Sequence, residues 1–538
     1  MHVEIILKNY RCFSDSKPVK FSLDKGFISF VGANNSGKST ILKFFYEFRG
    51  IFKILSDQRN LVKFTKLLTG QFQQFEKPAS IAHIEELFCN TNNRDIEICF
   101  KFKNAKAIEK DETPFSSQMN IIIPRGTEYK FGIELYSNEG IVALNNEDSL
   151  QYNGTKLCIG NKPIIEMSDS LQLLKNLNNT LYIGAFRNIN NLVSSDKSNP
   201  KYFDIDVGIA FVQAWRNFKM GTIHKDNEDA YKVIKDIEHI FEFSNLDINP
   251  SASVNTLKLL INGKSYFLSE VGSGIAQFIL VLVNVAMKKP SYILIDEPEL
   301  NLHPSLQLDF LTTLGSYARE GVLFATHSIG LARSSADKIY SIHLIDGEKR
   351  NVSEFEATAN LVEFLGELNF SGYKELGFDK ILLVEGPTDV KTIQQFLRCY
   401  KVDHKIVILP LGGKSRINGS IGPELEEIKR ISEKIYVLID SERTAPGEEL
   451  QPRLKEFIKV CEQAGVKCHV LERRAIENYF TDRAVKMVKG DKYHALSPYD
   501  RRDKISPGVN KNDNWRIARE MNSEEFEASD LGFFLNSL

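Results

Sequence analysis

The chain has 538 residues, 42% hydrophobic and 26% charged, with 68 Lys and Arg against 70 Asp and Glu. A net charge of −2 excludes a histone-like polycation and an acidic disordered tail. The composition is that of a soluble globular protein of several domains. The longest apolar stretch, Ile275 to Met287, is broken by Gln277 and Asn284. It falls short of the roughly 20 apolar residues that span a bilayer, so no membrane segment is expected. The start, MHVEIILKNYRCF, has no signal-peptide layout, and the seven cysteines form no C-x-x-C pair. A reducing, cytoplasmic compartment is expected.

The first predicted strand is the alternating run Val3 to Leu7. A second, Phe27 to Val31, feeds into Gly32-Ala33-Asn34-Asn35-Ser36-Gly37-Lys38-Ser39-Thr40, and the apolar-rich run Ile41 to Phe48 suits a helix. From Asp57 to Leu181, short strand-like runs such as Ile96 to Phe102 and Lys130 to Leu135 sit among Asn-rich turns. Residues 201–248 read as helical, with Tyr231, Ile234, Ile237 and Phe241 on one apolar face. That face suits either a core contact or an inserted dimerisation element. The charged stretch 346–378 reads as a connector. From Lys380 onward strands alternate with helices: KILLVE, KIVILP, IYVLID and KCHVL are the strands, which implies a parallel sheet flanked by helices.

Gly32-x4-Gly37-Lys38-Ser39 is a phosphate-binding loop pattern. Its glycines let backbone amides turn toward phosphate oxygens, Lys38 reaches the β and γ phosphates, and the Ser39 hydroxyl ligates Mg²⁺. Gly32, Asn35, Gly37, Lys38, Ser39 and Thr40 are therefore the candidate ATP contacts. The strand Tyr292 to Ile295 ends in Asp296 and Glu297. Asp296 is placed to hold Mg²⁺ through water, and Glu297 to orient or deprotonate the attacking water. Upstream, Ser273-Gly274 opens an apolar helix, a second anion-binding end. Downstream, Val322 to Ala325 reads as a strand leading to His327, which can contact a γ-phosphate.

In this order the four elements resemble the ABC-type ATPases, in the branch of the chromosome-maintenance and recombination-repair enzymes. The resemblance implies a signature motif at Ser273 and Gly274, a switch histidine at His327, and Arg11 near the nucleotide. It also implies that two subunits close on ATP, giving a homodimer or a higher even oligomer. The family's glutamine loop has only Gln71, Gln73 and Gln74 as candidates.

A second site is suggested further on. Glu385 and Asp389 flank one strand end, and Asp440 and Glu442 follow another. The carboxyl ends of parallel strands converge on one edge. Oxygen donors gathered there suit Mg²⁺ or Mn²⁺ rather than zinc, and paired cations can activate water against a phosphodiester. With Gly412-Gly413-Lys414 between them, these motifs resemble the Toprim domain of topoisomerases, primases and certain nucleases. The usual Asp-x-Asp is here Asp440-Ser441-Glu442.

Arg473-Arg474-Ala475-Ile476-Glu477-Asn478-Tyr479-Phe480 is similar to a motif that follows the Toprim core in the OLD (overcoming lysogenization defect) nucleases. That family joins an ABC-type ATPase to a C-terminal Toprim domain. The resemblance implies an α/β chain divided into an ATPase domain over 1–345, a helical dimerisation insertion over 201–248, a connector over 346–378, and a Rossmann-like Toprim domain over 379–538. It further implies Glu477 as a metal ligand and a catalytic lysine near the C-terminus, for which Lys511 is the candidate. Residues 481–520 carry ten Lys or Arg and six Asp or Glu, which suits either a phosphate-backbone contact or a solvated face. The expected function is an ATP-regulated, metal-dependent DNA endonuclease, in anti-phage defence like the Gabija-type and retron-associated nucleases. A partner protein or nucleic acid of such a system is also implied. An ATP-gated DNA clamp or sensor that does not cut, and an RNA nuclease, are the alternatives.

Overall fold

The computed structural model describes residues 3–60, 72–103, 115–185, 201–355, 380–504 and 508–538, apart from 127, 138–139, 142–149, 154–155, 160–161, 252–255, 346–348, 404–405, 413–416, 418–420, 423–424 and 426–433. Gln71, Lys414 and nearly all of the expected connector lie outside the described residues. Chain contacts divide the molecule into two compact units. The first comprises Met1–Leu302, Thr313–His327 and Lys338–Phe355; the second comprises His303–Thr312, Ser328–Asp337 and Glu356–Leu538. The division is therefore not the single cut near residue 345 that the sequence suggests.

The first unit is organised by a six-stranded sheet. Its order is Thr180–Ile183, Tyr292–Asp296, Gly321–Thr326, Gly26–Gly32, Lys338–Ile345 and Lys349–Glu354. The first five strands are parallel and the last is antiparallel. Gly26–Gly32, Tyr292–Asp296 and Gly321–Thr326 are buried along almost their whole length, as parallel strands covered on both faces must be. The edge strand Lys349–Glu354 falls where a connector was expected. In register, Asp296 pairs with Ala325, and Thr326 with Val31. The three motif-bearing strands thus end side by side.

A second, antiparallel sheet has the order Val19–Leu23, Val3–Lys8, Ile96–Lys103, Phe115–Ile123 and Lys130–Ser137, with Gln73–Gln74 on Lys130–Ser137. Residues 201–248 form two helices, Gly208–Met220 and His224–Ile240, and the start of a three-stranded sheet. The predicted apolar face turns inward: Ile234 and Ile237 are buried, and Phe241 packs edge-on against Phe278. Of the four residues only Tyr231 is largely exposed, at 62%. The 3.6-residue period was a core signal, and it leaves little apolar surface on that face for a second subunit.

The second unit carries a four-stranded parallel sheet in the order Ile406–Pro410, Lys380–Val384, Lys434–Ile439 and Lys467–Val470. Alternation along each strand feeds two separate cores. Ile381, Leu383, Val437 and Ile439 pack on one face with Leu454 and Phe457. Leu382, Val384 and Leu438 pack on the other with Val390, Phe396 and Ile517. Among the described residues no helix is long and apolar enough to cross a membrane, and all seven cysteines are free.

Candidate functional site

The phosphate loop runs from the end of Gly26–Gly32 into the helix Lys38–Glu47. Two glycines are demanded by its path. At Gly32, φ +156°, a Cβ would lie 2.5 Å from the Ile342 carbonyl oxygen; at Gly37, φ +113°, it would lie 2.8 Å from the Phe13 ring. Asn35 also adopts a left-handed φ of 60°, tolerable for Asn. Lys38 curls back so that Nζ donates to the carbonyls of Gly32 (2.9 Å) and Ala33 (3.0 Å), and lies 3.1 Å from Nε2 of His327. Ser39 Oγ donates to Asp296 Oδ1 at 2.9 Å. His327 Nε2 also stands 3.4 Å from Glu297 Oε1.

The motifs predicted from distant parts of the chain thus meet at one sheet edge. Burial pulls Lys38 below its ordinary value, and the carboxylates of Asp296, Glu297 and Glu299 pull it back up. Burial raises Asp296, with Glu297 adding to the rise and Ser39 and the nearby lysines opposing it. The site has the donors and acceptors of a Mg²⁺-nucleotide pocket, and they satisfy one another.

Arg11 is placed differently from the expectation. Its guanidinium donates through Nε and Nη2 to Glu47, the last residue of the helix. Glu47 also receives the Tyr10 hydroxyl and the Ser80 hydroxyl. Glu47 lies nine residues, about 13 Å, along the helix from Lys38. The turn that carries Arg11 does reach the loop, for Cys12 Sγ is 3.8 Å from Thr40 Oγ1. A cation that the sequence reading missed, Arg350, donates to the carbonyls of Cys12 (3.2 Å) and Asn35 (3.4 Å).

Ser273 is the exposed first residue of the helix Ser273–Lys288. Gly274 lies against the turn after Glu297: a Cβ there would meet the Asn301 carbonyl oxygen at 2.9 Å, and Asn301 Nδ2 donates to Gln277 at 3.1 Å.

In the second unit, Glu385, Asp389, Asp440, Glu477 and Lys511 form one electrostatic cluster. Glu385 ends the strand Lys380–Val384, and Asp389 opens the helix Pro387–Cys399, where its Oδ2 accepts from Gly386 N at 3.0 Å. Asp440 follows Lys434–Ile439; its amide donates to Glu385 Oε1 at 3.1 Å, and its Oδ1 accepts from Ile476 N at 3.1 Å. Burial first, then the charges of Glu385, Asp389 and Glu477, push Asp440 well above the usual carboxylate range. Asp389 is raised by burial too, against the pull of Lys511. Burial lowers Lys511, but the four surrounding carboxylates raise it on balance.

Lys511 Nζ is 3.4 Å from Asp389 Oδ1, an ion-pair distance, and that buried oxygen accepts no well-formed hydrogen bond from a described residue. Val384, Leu438, Ile439, Leu471 and Ile476 line a small cavity with Glu385, Asp389 and Asp440. Glu442 does not join them. At φ 58°, its amide donates to Arg474 O and its carboxylate accepts from Arg453 Nη2. Among the described residues, no three acidic, His or Cys side chains already stand together as a metal site.

Four of the bases of 481–520 are paired within the unit: Arg483 with Glu525, Lys486 with Asp482, Lys489 with Asp513 and Arg501 with Asp503. Three of these acids belong to the same stretch, so most of its local positive excess remains.

Residues 1–332 match the family model of an AAA ATPase domain. No match was found among curated proteins. Solved structures that match include the Smc head bound to the C-winged helix domain of ScpA, at 13% identity over 66% of this chain and 97% of that one, TM-score 0.37. The SMC head domain from Thermotoga maritima matches at 13% identity over 66% and 100%, TM-score 0.33. An Smc head with an extended coiled coil, bound to the C-terminal domain of ScpA derived from Pyrococcus furiosus, matches at 13% over 69% and 100%, TM-score 0.34.

Proposed function

Because this chain belongs to the AAA ATPase domain family, we propose that it is an ATP-regulated, divalent-metal-dependent endonuclease acting on DNA. The observation that carries the nuclease half is the cluster of Glu385, Asp389, Asp440 and Glu477 around Lys511. Carboxylates buried together are costly unless cations join them, and Asp389 Oδ1, which meets Lys511 only at ion-pair distance and accepts no hydrogen bond from a described residue, supports a place for one more. Hard oxygen donors suit Mg²⁺ or Mn²⁺. Such ions supply water activation and reverse the sign of the field that a phosphodiester meets. Glu385, Asp389, Asp440 and Glu477 would hold them, and Lys511 would offer its ammonium to a phosphate oxygen. In this reading the second unit is a Toprim domain and the chain an OLD-type nuclease, working in defence against phage.

At the nucleotide site Lys38 would bind the β and γ phosphates, and Ser39 and Asp296 would hold Mg²⁺. Glu297 would take the proton of the attacking water, and His327 would face the γ-phosphate. Ser273 is exposed at a helix start, which supports closure of one copy's signature on the phosphate loop of another, an ABC-type dimer. The test is nicking of plasmid DNA with Mg²⁺ or Mn²⁺, with and without ATP, set against RNA substrates. Cleavage should vanish in Glu385→Ala and Asp440→Ala while ATP hydrolysis persists. Cleavage by Asp440→Ala at the wild-type rate would sink this reading.

A second reading, a DNA clamp or sensor that does not cut, is favoured by the pairing of Glu442 with Arg453, which withdraws one expected ligand. Retained DNA binding without nicking under every metal condition would select it.

A further inference from the structure

The turn that follows Glu297 has a task of its own. Glu297 sits at φ 52°, its amide held by Ala325 O at 2.8 Å, and the chain then turns back through Glu299. One carboxylate oxygen of Glu299, Oε1, accepts two hydrogen bonds from the end of the neighbouring strand: Thr326 Oγ1 at 2.7 Å and the His327 amide at 2.9 Å. The other oxygen, Oε2, is buried and accepts from no described residue. Two residues on, the same turn touches the helix of Ser273 through Asn301, by way of Gly274 and Gln277. Glu299 therefore fixes the backbone from which the imidazole projects between Lys38 and Glu297.

We propose that Glu299 is a positioning residue for ATP hydrolysis, which holds His327 in register with Lys38 and Glu297 and joins it to the turn against the signature helix. The inference rests on the hydrolytic reading of the nucleotide site and adds a residue to it. Glu299 acts through His327 and not on the nucleotide, because its bonded oxygen is committed to the strand end. Its contribution should then be to turnover and not to ATP affinity. A misplaced catalytic group costs rate steeply, whereas the hydrogen bonds that hold Lys38 and Ser39, to Gly32, Ala33 and Asp296, do not pass through Glu299.

The experiment is steady-state ATP hydrolysis by the full chain and its Glu299→Ala, Glu299→Gln, His327→Ala and Glu299→Ala/His327→Ala variants, with binding of a fluorescent ATP analogue alongside. Glu299→Ala should lower kcat about ten- to a hundredfold with analogue affinity within about twofold of wild type. Glu299→Gln keeps an acceptor oxygen for both donors and should recover most of kcat; it also shows that the position tolerates change without unfolding. The double variant should be no slower than His327→Ala, since the two residues act as a unit. An unchanged kcat in Glu299→Ala, a loss confined to affinity, a Gln variant as slow as the Ala variant, or multiplied losses in the double variant would each overturn the proposal. A wild-type chain that binds the analogue but hydrolyses no ATP would overturn the hydrolytic reading, and this inference with it.

Discussion

The two sites solve opposite electrostatic problems. At the nucleotide site every principal charge has a counterpart: Lys38 has two carbonyls and His327, Asp296 has Ser39, and Glu297 has His327. At the acidic site four carboxylates surround one lysine, and the charges of Glu385, Asp389 and Glu477 raise the cost of ionising Asp440. The contacts of the first close it on itself. On the proposed reading, a cation completes the second. An arriving anion therefore competes with existing contacts in the first unit, while an arriving cation relieves repulsion in the second.

The sharpest break of this comparison is at Lys38. Lys38→Ala removes the only predicted side-chain cation of the phosphate loop, and the neighbouring Arg350 is held on the Cys12 and Asn35 carbonyls. ATP affinity should fall at least about a hundredfold, since hydrogen bonds to charged groups are each worth about 1.5–3 kcal/mol and the Coulomb term adds to them. Isothermal titration calorimetry reads this directly; affinity within threefold of wild type would reject the phosphate-loop assignment. Glu297→Gln sharpens the same point, because it should retain ATP while slowing hydrolysis about a hundredfold or more.

The next test addresses the incomplete site. Asp440→Asn keeps the acceptor oxygen for Ile476 N but removes one of four like charges. In EDTA at neutral pH the variant should be more stable than wild type by about 1 kcal/mol, a rise in melting temperature of about 2–4 °C. Adding Mn²⁺ should raise the wild-type melting temperature and raise the variant's far less. If the variant is less stable in EDTA and equally responsive to Mn²⁺, repulsion does not govern this cluster.

Legibility followed the same division. The nucleotide site could be read because its chemistry is written in contiguous motifs, each at a strand end, and a parallel sheet brings such ends together whatever lies between them. Glu385, Asp389 and Asp440 were legible for the same reason. Glu442 was not, because its fate is set by Arg453, eleven residues later, through a pairing that no strand pattern announces. Glu299 was hidden by its neighbour: beside Glu297 it read as one more acid before a turn, although a third carboxylate so close behind the strand was the available signal. Arg11 was placed by resemblance, and the buried Glu47 that claims it lies on an otherwise apolar helix face. The helices of 201–248 were found by their period, but a period reports that a face is buried, not what buries it. The unit boundary was invisible because 303–312 and 328–337 are adjacent in sequence to nucleotide motifs yet pack with the C-terminal unit. There, Asp337 is paired with Lys391, a lysine 1% exposed.

The smallest expected effect concerns a charge pair that lies outside both sites and tests whether ordinary compensation stabilises the second unit. Glu525 accepts from Thr481 Oγ1 (2.8 Å), Arg483 Nη2 (2.6 Å) and the Asn522 amide (2.8 Å). The Arg483 hydrogen bond, opposed by partial burial and aided by the Asn522 and Thr481 donors, lowers its pKa from an ordinary 4.5 to about 2. A carboxylate whose folded value is depressed contributes stability that is fully present above the unfolded value and is lost as pH falls through the folded one. The window is therefore from about 4.5 down to about 2. Arg483 is 44% exposed, so solvent screening limits the contribution to about 1 kcal/mol. Glu525→Gln should be less stable than wild type by that amount at pH 7, with the gap closing across the window. Urea unfolding midpoints of both proteins at a series of pH values measure it. A gap that stays constant from pH 7 to pH 2 would mean that Glu525 acts there through shape and neutral hydrogen bonds, and that its charge is not what steadies the chain between Thr481 and Asn522.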